Sequence, residues 1–215
     1  MKQLRPKSTP STRRLKVIAG EDLYEAYLFM RVLSAARRRG ITLTLLGEQS
    51  QRPAREIIFR RSPGTLHNAS RTAPDYTYAR LTGHGWYPRA LFVGIKALDH
   101  SGGTHECDLL LLPERVAQHA QRSPSYPLWG SADLYVEAKF NSKEITLPTA
   151  RALIGVHADL WFRRAVVLAC HDGLATNAKT YLQAGAWMAS AAGFGDVRPA
   201  WNGHNQLENH LATLL

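Results

Sequence analysis

The chain has 215 residues and a mass of 23.9 kDa, an ordinary size for one α/β domain. Hydrophobic residues make up 45% of it and charged residues 20%, a globular balance that excludes a disordered protein and a coiled coil. No stretch approaches the roughly 20 apolar residues of a membrane-spanning helix, and the basic N-terminus lacks the apolar core of a secretory signal. Two cysteines, Cys107 and Cys170, are too few for a disulfide framework, so a cytoplasmic location is expected.

Positive charge is concentrated at the start of the chain. The formal net charge is +10, from 27 Lys and Arg against 17 Asp and Glu. Residues 1–61 hold 14 basic and 5 acidic residues, a balance of +9, whereas the remaining 154 hold 13 and 12, a balance of +1. This asymmetry favours a nucleic-acid partner, because clustered basic residues release counterions from phosphates. The alternative is a solvated surface rich in arginine, since 20 Arg stand against 7 Lys.

The domain organisation is predicted to be a flexible basic arm over residues 1–16 and a single domain over 17–215. The arm contains Pro6, Pro10, four Ser or Thr residues and six basic residues without an acid, a composition that favours disorder in the absence of a ligand. The rest of the chain has no evident repeat and no long linker. Its pattern predicts one α/β domain with a central mixed β-sheet flanked by helices.

A first helix is predicted over residues 21–39, with acidic residues at its start and arginines at its end. Apolar residues cover most of its circumference, with Leu23 and Met30 in one stripe and Tyr24 among the few polar positions. A helix of this kind is expected to pack on more than one side. Glu25 lies at the edge of a second apolar stripe and is expected to be a partly buried acid.

The remaining elements follow from apolar periodicity and turn signals. Strands are predicted over 41–46, 56–60, 76–81 and 90–98, then a turn over 99–104 that returns the chain through a hairpin into a leucine-rich strand, and further strands over 133–140 and 164–170. Helices are predicted over 114–121, 147–161, 175–192 and 205–214.

Three charged residues are predicted to meet in the middle of the sheet. Asp108 begins the buried leucine-rich strand, and the period-2 strand 133–140 places Glu137 and Lys139 side by side on one face. Two carboxylates on neighbouring strands are the oxygen ligands that Mg²⁺ requires, and the carbonyl of Ala138 offers a further oxygen. Beside a cation, Lys139 is expected to have a lowered pKa and to assist an attacking water.

These residues resemble the motif of the PD-(D/E)XK nuclease superfamily, which has the restriction-endonuclease-like fold. The likeness is carried by Asp108, a spacer and Glu137-Ala138-Lys139, and it covers roughly residues 20–170 in a similar order of helices and strands. It implies that Asp108 and Glu137 bind a metal ion and that Lys139 is the catalytic lysine.

Many members of that superfamily also place a glutamate on the first core helix near the metal ion. Glu25 matches this position, with Glu21 second. One departure is that Cys107, and not proline, precedes Asp108, which is a common variation. The spacer between Asp108 and Glu137 carries an apparent insertion over 113–130, which either influences substrate choice or has no functional role.

Several other polar residues near these motifs have two interpretations. Glu106 shares the face of Asp108 and is either an additional metal ligand or an exposed hairpin residue. His105 either contacts a phosphate or has no role. His157 and His171 are expected to lie in loops or at helix ends, because two cysteines without paired Cys/His spacing make structural zinc improbable.

A second candidate surface combines basic and aromatic residues that could track a nucleic-acid backbone and stack on bases. The same alternation along a strand is also typical of ordinary core packing. Its members are Arg60, Arg61, Arg71, Arg80, Tyr76, Tyr78 and Trp86.

The function expected from these features is metal-dependent endonuclease action on DNA, with Mg²⁺ as cofactor and Mn²⁺ as a substitute. Two alternatives remain open: a non-catalytic nucleic-acid-binding module with an idle site, and a nuclease directed at RNA. By analogy, the protein is expected to be a homodimer or the partner subunit of a defence or mobile-element system.

Overall fold

The computed structural model describes residues 20–67, 73–83, 85–128, 130–140, 145–160, 165–170 and 175–188. The helices are α1 (Gly20–Arg38), α2 (Glu114–Arg122), α3 (Leu147–Leu160) and α4 (Thr176–Met188). The strands are β1 (Thr42–Gly47), β2 (Thr77–Gly83), β3 (Trp86–Leu98), β4 (Thr104–Pro113), β5 (Leu134–Lys139) and β6 (Ala165–Cys170). The predicted basic arm, 1–16, and the predicted helix over 205–214 lie outside the described residues.

The six strands form one mixed sheet in the order β1-β2-β3-β4-β5-β6. Neighbouring strands from β1 to β5 pair antiparallel, and β5 pairs parallel with β6. Helix α3 lies between β5 and β6 in the chain, as a parallel connection requires. The predicted α/β fold with a mixed sheet and flanking helices is confirmed.

Two apolar cores lie on opposite faces of the sheet. Helix α1 covers one face, where Leu28 and Val32 join residues of β2 to β6. Helices α2, α3 and α4 contribute to the other core, with Ala120, Leu153 and Leu182 among its buried residues. Asp108, Glu137 and Lys139 lie on strands between these two cores, which limits their access to water.

The prediction that α1 packs on more than one side is wrong. Leu23 and Met30, placed in a buried stripe by the sequence pattern, are 62% and 49% exposed. Tyr24 was predicted among the polar positions but is buried, with its ring 5.7 Å from that of Phe140. The helix rests on one face of the sheet, so the apolar residues on its outer side stay in contact with solvent.

The strand predicted over 56–60 is also wrong. This segment is irregular, and its backbone contacts β2 through one residue, Thr77, whose N–H donates to the Ile58 carbonyl at 2.8 Å. Arg60 then turns its side chain inward to pair with Glu48. The segment has the apolar composition of a strand, and Phe59 packs against the core. Its backbone nevertheless forms no ladder of hydrogen bonds with a neighbouring strand.

The apparent insertion over 113–130 is part of the core, because it contains α2 with the buried residues Ala117 and Ala120. Among the helices that the structure describes, none is long and apolar enough to cross a membrane.

Candidate functional site

The candidate site lies where β4 and β5 stop pairing. The regular register between these strands runs from Leu111–Leu134 to Leu109–Val136. Beyond it, the Ala138 N–H donates a hydrogen bond to Asp108 Oδ2 at 2.7 Å. The Asp108 side chain thus takes the place of a backbone acceptor. This hydrogen bond holds Asp108 beside the end of β5, as expected from the predicted hairpin that leads into the leucine-rich strand.

Glu137 is held by a neighbour on each of its two carboxylate oxygens. Its Oε1 pairs with the Lys139 ammonium group, and its Oε2 accepts a hydrogen bond from the Tyr135 hydroxyl. The three side chains share one face of β5, because alternate residues of a strand point the same way. Tyr135 is fully buried, whereas Glu137 and Lys139 are partly accessible. The predicted placement of Glu137 and Lys139 side by side on one strand face is therefore present, and the two side chains form an ion pair.

Glu25 joins this group from the first turns of α1, which approaches β5. Burial raises the pKa of Glu25 to about 8, with further upward contributions from Asp108, Asp22 and Glu21, and Lys139 acts in the opposite direction. The predicted partly buried acid on the first helix is present. Its raised pKa means that the ionised form is unfavourable among the neighbouring carboxylates.

The pKa values of Asp108 and Lys139 are also raised. For Asp108, burial and the charge of Glu137 raise the pKa to about 6, against the lowering effects of the Ala138 N–H and Lys139. For Lys139, burial alone lowers the pKa, but the carboxylates of Glu137, Asp108 and Glu21 outweigh it and the pKa is raised. The lowered pKa expected from the sequence depends on a cation beside the amine, and the protein's own charges act the other way.

The carboxylates at the candidate site are of the chemical type that a hard divalent cation prefers. Asp108 and Glu137 offer carboxylate oxygens from neighbouring strands, and burial together with neighbouring carboxylates raises the pKa of Asp108 and of Glu25. Within the described ranges, no group of three or more His, Cys, Asp or Glu side chains could hold a metal ion. Two carboxylates with water or phosphate oxygens in the other positions are a usual arrangement for Mg²⁺. The role of the Ala138 carbonyl stays a prediction.

The neighbouring polar residues have other contacts. Glu106 is exposed, with its Oε1 3.7 Å from Lys96 Nζ, which agrees with the exposed hairpin interpretation. His105 Nε2 lies 3.1 Å from Asp99 Oδ2 and 3.8 Å from Asp159 Oδ2. His171 and the side chain of His157 lie outside what the structure describes.

Part of the predicted basic and aromatic surface makes contacts inside the protein. Arg60 pairs with the buried Glu48 and lies 4.3 Å from the centre of the Tyr76 ring, and Arg80 Nε is 2.8 Å from Glu114 Oε1. Tyr78 is buried, and its ring is stacked on that of Phe92, with centroids 5.0 Å apart. Arg60 and Tyr78 are therefore not part of an open binding surface, whereas the side chain of Arg80 is 42% exposed. Arg61 is exposed, and Arg71 and the side chain of Trp86 are not described.

Tyr135 is the site residue whose role the sequence reasoning missed. The period-2 pattern of strand 133–140 puts Tyr135 on the same face as Glu137 and Lys139, but it assigns no role to the hydroxyl. The signal was present in the spacing, because a tyrosine two residues before a buried carboxylate can direct its hydroxyl along the strand face toward that carboxylate.

Comparison with known proteins identifies no relative: no protein-family model, no curated protein and no solved structure matches this chain.

Proposed function

We propose that this protein is a metal-dependent endonuclease that hydrolyses phosphodiester bonds in DNA. The observation that supports the proposal is the convergence of Asp108, Glu137 and Lys139 where β4 and β5 separate, with Glu25 joining them from α1. The resemblance of these residues to the PD-(D/E)XK motif leads to the same function, with a restriction-endonuclease-like core as part of the proposal.

Asp108 and Glu137 would hold Mg²⁺, or Mn²⁺ in its place. The bound ion would supply Lewis-acid chemistry, activating a water molecule and neutralising charge on the phosphate. Lys139 would orient that water and stabilise negative charge that develops on the phosphate oxygens. Glu25 would hold a water molecule or the ion from the α1 side, with Glu21 as the second choice on the same helix.

The charge distribution supports a polyanionic substrate. The balance of +9 in residues 1–61 is the charge on which phosphate binding would depend, and Arg52, Arg55 and Arg61 of that region are exposed. Binding should therefore weaken steeply as salt concentration rises. Acting as a homodimer, or as the partner subunit of a defence or mobile-element system, is part of the same proposal.

The test is cleavage of supercoiled plasmid, linear duplex, single-stranded DNA and RNA in Mg²⁺, Mn²⁺ or EDTA. The wild type is compared with Lys139→Ala and with Lys96→Ala, a matched control because Lys96 is also partly exposed and paired with a glutamate. We expect metal-dependent cleavage of DNA that Lys139→Ala removes and Lys96→Ala retains. Cleavage of RNA alone would identify the substrate as RNA.

A second candidate is a nucleic-acid-binding module with an idle site. It is favoured by the contacts of Glu137, since Lys139 and Tyr135 already occupy both carboxylate oxygens. This candidate predicts binding that depends on salt but not on Mg²⁺, without cleavage of any of the four substrates.

A further inference from the structure

Residues 55–61, named the isoleucine loop, present two apolar side chains to solvent between exposed arginines. Ile57 and Ile58 are 50% and 36% exposed and adjoin each other in the chain. Arg55 and Arg61 stand exposed at the two ends of the loop. The loop thus offers an apolar centre between two positive charges.

The backbone of the isoleucine loop is fixed to the domain. Thr77 N–H donates to the Ile58 carbonyl at 2.8 Å, and Ile58 N–H donates to Thr77 Oγ1 at 3.0 Å. Phe59 packs edge-on against Phe29 of α1, with ring centroids 5.0 Å apart. Arg60 is drawn inward by its ion pair with Glu48. Because these anchors hold the loop in place, binding through its exposed residues costs little ordering entropy.

The loop lies on the α1 side of the sheet, from which Glu25 approaches the candidate site. Phe29, which contacts Phe59, follows Glu25 by four residues on α1, a distance of about one helical turn, 5.4 Å along the axis. Side chains four residues apart share a helix face. A duplex that reaches the candidate site from the side of Glu25 would therefore pass near the isoleucine loop.

We propose that the isoleucine loop is a wedge that binds duplex DNA through its minor groove, with Ile57 and Ile58 inserted between base pairs and Arg55 and Arg61 on the flanking phosphates. Isoleucine is among the side chains that proteins use to unstack a base step and bend the duplex. The exposed charges over 52–61 are three arginines against Glu56, a net +2 that favours a polyanion over an acidic protein surface. This proposal rests on the proposed function, since it names the form of DNA that the site would receive.

The test uses the double variant Ile57→Thr/Ile58→Thr, which keeps β-branched side chains on the loop. The matched control is Leu128→Ser, which removes an apolar side chain of comparable exposure, 58%, from a different surface. Affinity for a duplex of about 20 base pairs and its end-to-end distance by fluorescence transfer are measured in EDTA over a range of salt concentrations. Thermal unfolding of each variant checks that it is folded.

We expect the double variant to bind about tenfold more weakly and to leave the duplex straight, without a change in the slope of affinity against salt. A second variant, Arg55→Gln/Arg61→Gln, should lower that slope by about 2, one for each phosphate contact. Unchanged affinity and bending in the double isoleucine variant would overturn the wedge, as would an equal loss in Leu128→Ser. Such results in a protein that still cleaves DNA overturn the wedge alone, whereas absence of DNA binding by the wild type overturns the proposed function as well.

Discussion

The Tyr135 hydroxyl donates a hydrogen bond to Glu137 Oε2, and the two residues are neighbours on one face of β5. The phenol ring is fully buried, so this contact fixes one oxygen of the glutamate from inside the core. The second oxygen, Oε1, faces Lys139. Because Tyr135 holds Oε2, Oε1 is the oxygen of Glu137 that can exchange Lys139 for another partner.

Removing that hydroxyl should weaken metal binding. We expect Tyr135→Phe to lower the affinity for Mn²⁺ by about tenfold or more, the usual effect of losing a hydrogen bond to a metal ligand. The control is Tyr78→Phe, which deletes another buried hydroxyl, bonded to Gln51 Oε1 at 2.7 Å and remote from the site. Isothermal titration of each protein measures the affinity. If the Tyr78 variant loses as much affinity as the Tyr135 variant, the hydroxyl acts through stability and not through Glu137.

Lys139 should compete with the cation for Glu137, because both need Oε1. We expect Lys139→Met to bind Mn²⁺ more tightly than the wild type, by about tenfold, although it should not cleave DNA. Lys96→Met, which removes a positive charge from the nearby pair with Glu106, should change the affinity much less. The same titration provides the measurement, and weaker Mn²⁺ binding by Lys139→Met would contradict the competition.

Stability should depend on pH through Glu25. Its pKa is raised from 4.5 to about 8 in the folded protein, so the unfolded chain ionises first and the free energy of unfolding falls as pH rises through this window. Glu25→Gln removes the effect and should be more stable than the wild type at pH 9, by on the order of 1 kcal/mol after allowance for solvent screening, with a smaller gain at pH 4. Urea denaturation at both pH values measures the difference. A gain of equal size at the two pH values would show that ionisation of Glu25 is not its source.

The ion pair between Arg60 and Glu48 should be essential to the fold, since both side chains are buried. Arg60→Met leaves an unpaired buried carboxylate, and we expect a loss of about 3–5 kcal/mol in the free energy of unfolding at pH 8. Burial raises the pKa of Glu48 to about 7 even with Arg60 present, so protonation at low pH should reduce the loss. The double variant Arg60→Met/Glu48→Leu should recover most of the stability in urea denaturation. No recovery would mean that Arg60 acts through its ring contact with Tyr76.

Local patterns predicted the part of the site that lies on neighbouring positions of one strand. The period-2 alternation of β5 places Glu137 and Lys139 on one face, and the hairpin formed by β3 and β4 brings Asp108 next to them. These relations depend on strand geometry alone, and strand geometry can be predicted from patterns that extend over only a few residues.

Local sequence patterns did not predict contacts between segments that are distant in the chain. Helical periodicity cannot tell which apolar stripe of α1 meets the sheet, and Tyr24, which the pattern left among the polar positions, packs against Phe140. The segment over 56–60 has the composition of a strand, but pairing of Arg60 with Glu48 draws its side chain inward and no ladder forms. Both outcomes depend on partners that a local pattern does not contain.

The most direct test of the central claim is the rate of plasmid cleavage in Mg²⁺ by the wild type and by Asp108→Asn. This change is isosteric and keeps an oxygen acceptor for the Ala138 N–H, so the fold should persist while the charge is lost. Asp159→Asn is the matched control, because Asp159 is an exposed aspartate whose carboxylate lies near His105 at the start of β4 and not at Asp108. We predict that the wild type and Asp159→Asn cleave the plasmid, that neither does so in EDTA, and that Asp108→Asn loses at least 100-fold in rate, on the order expected for loss of charge stabilisation at the reacting phosphate. Equal rates for Asp108→Asn and the wild type would contradict the assignment of the site.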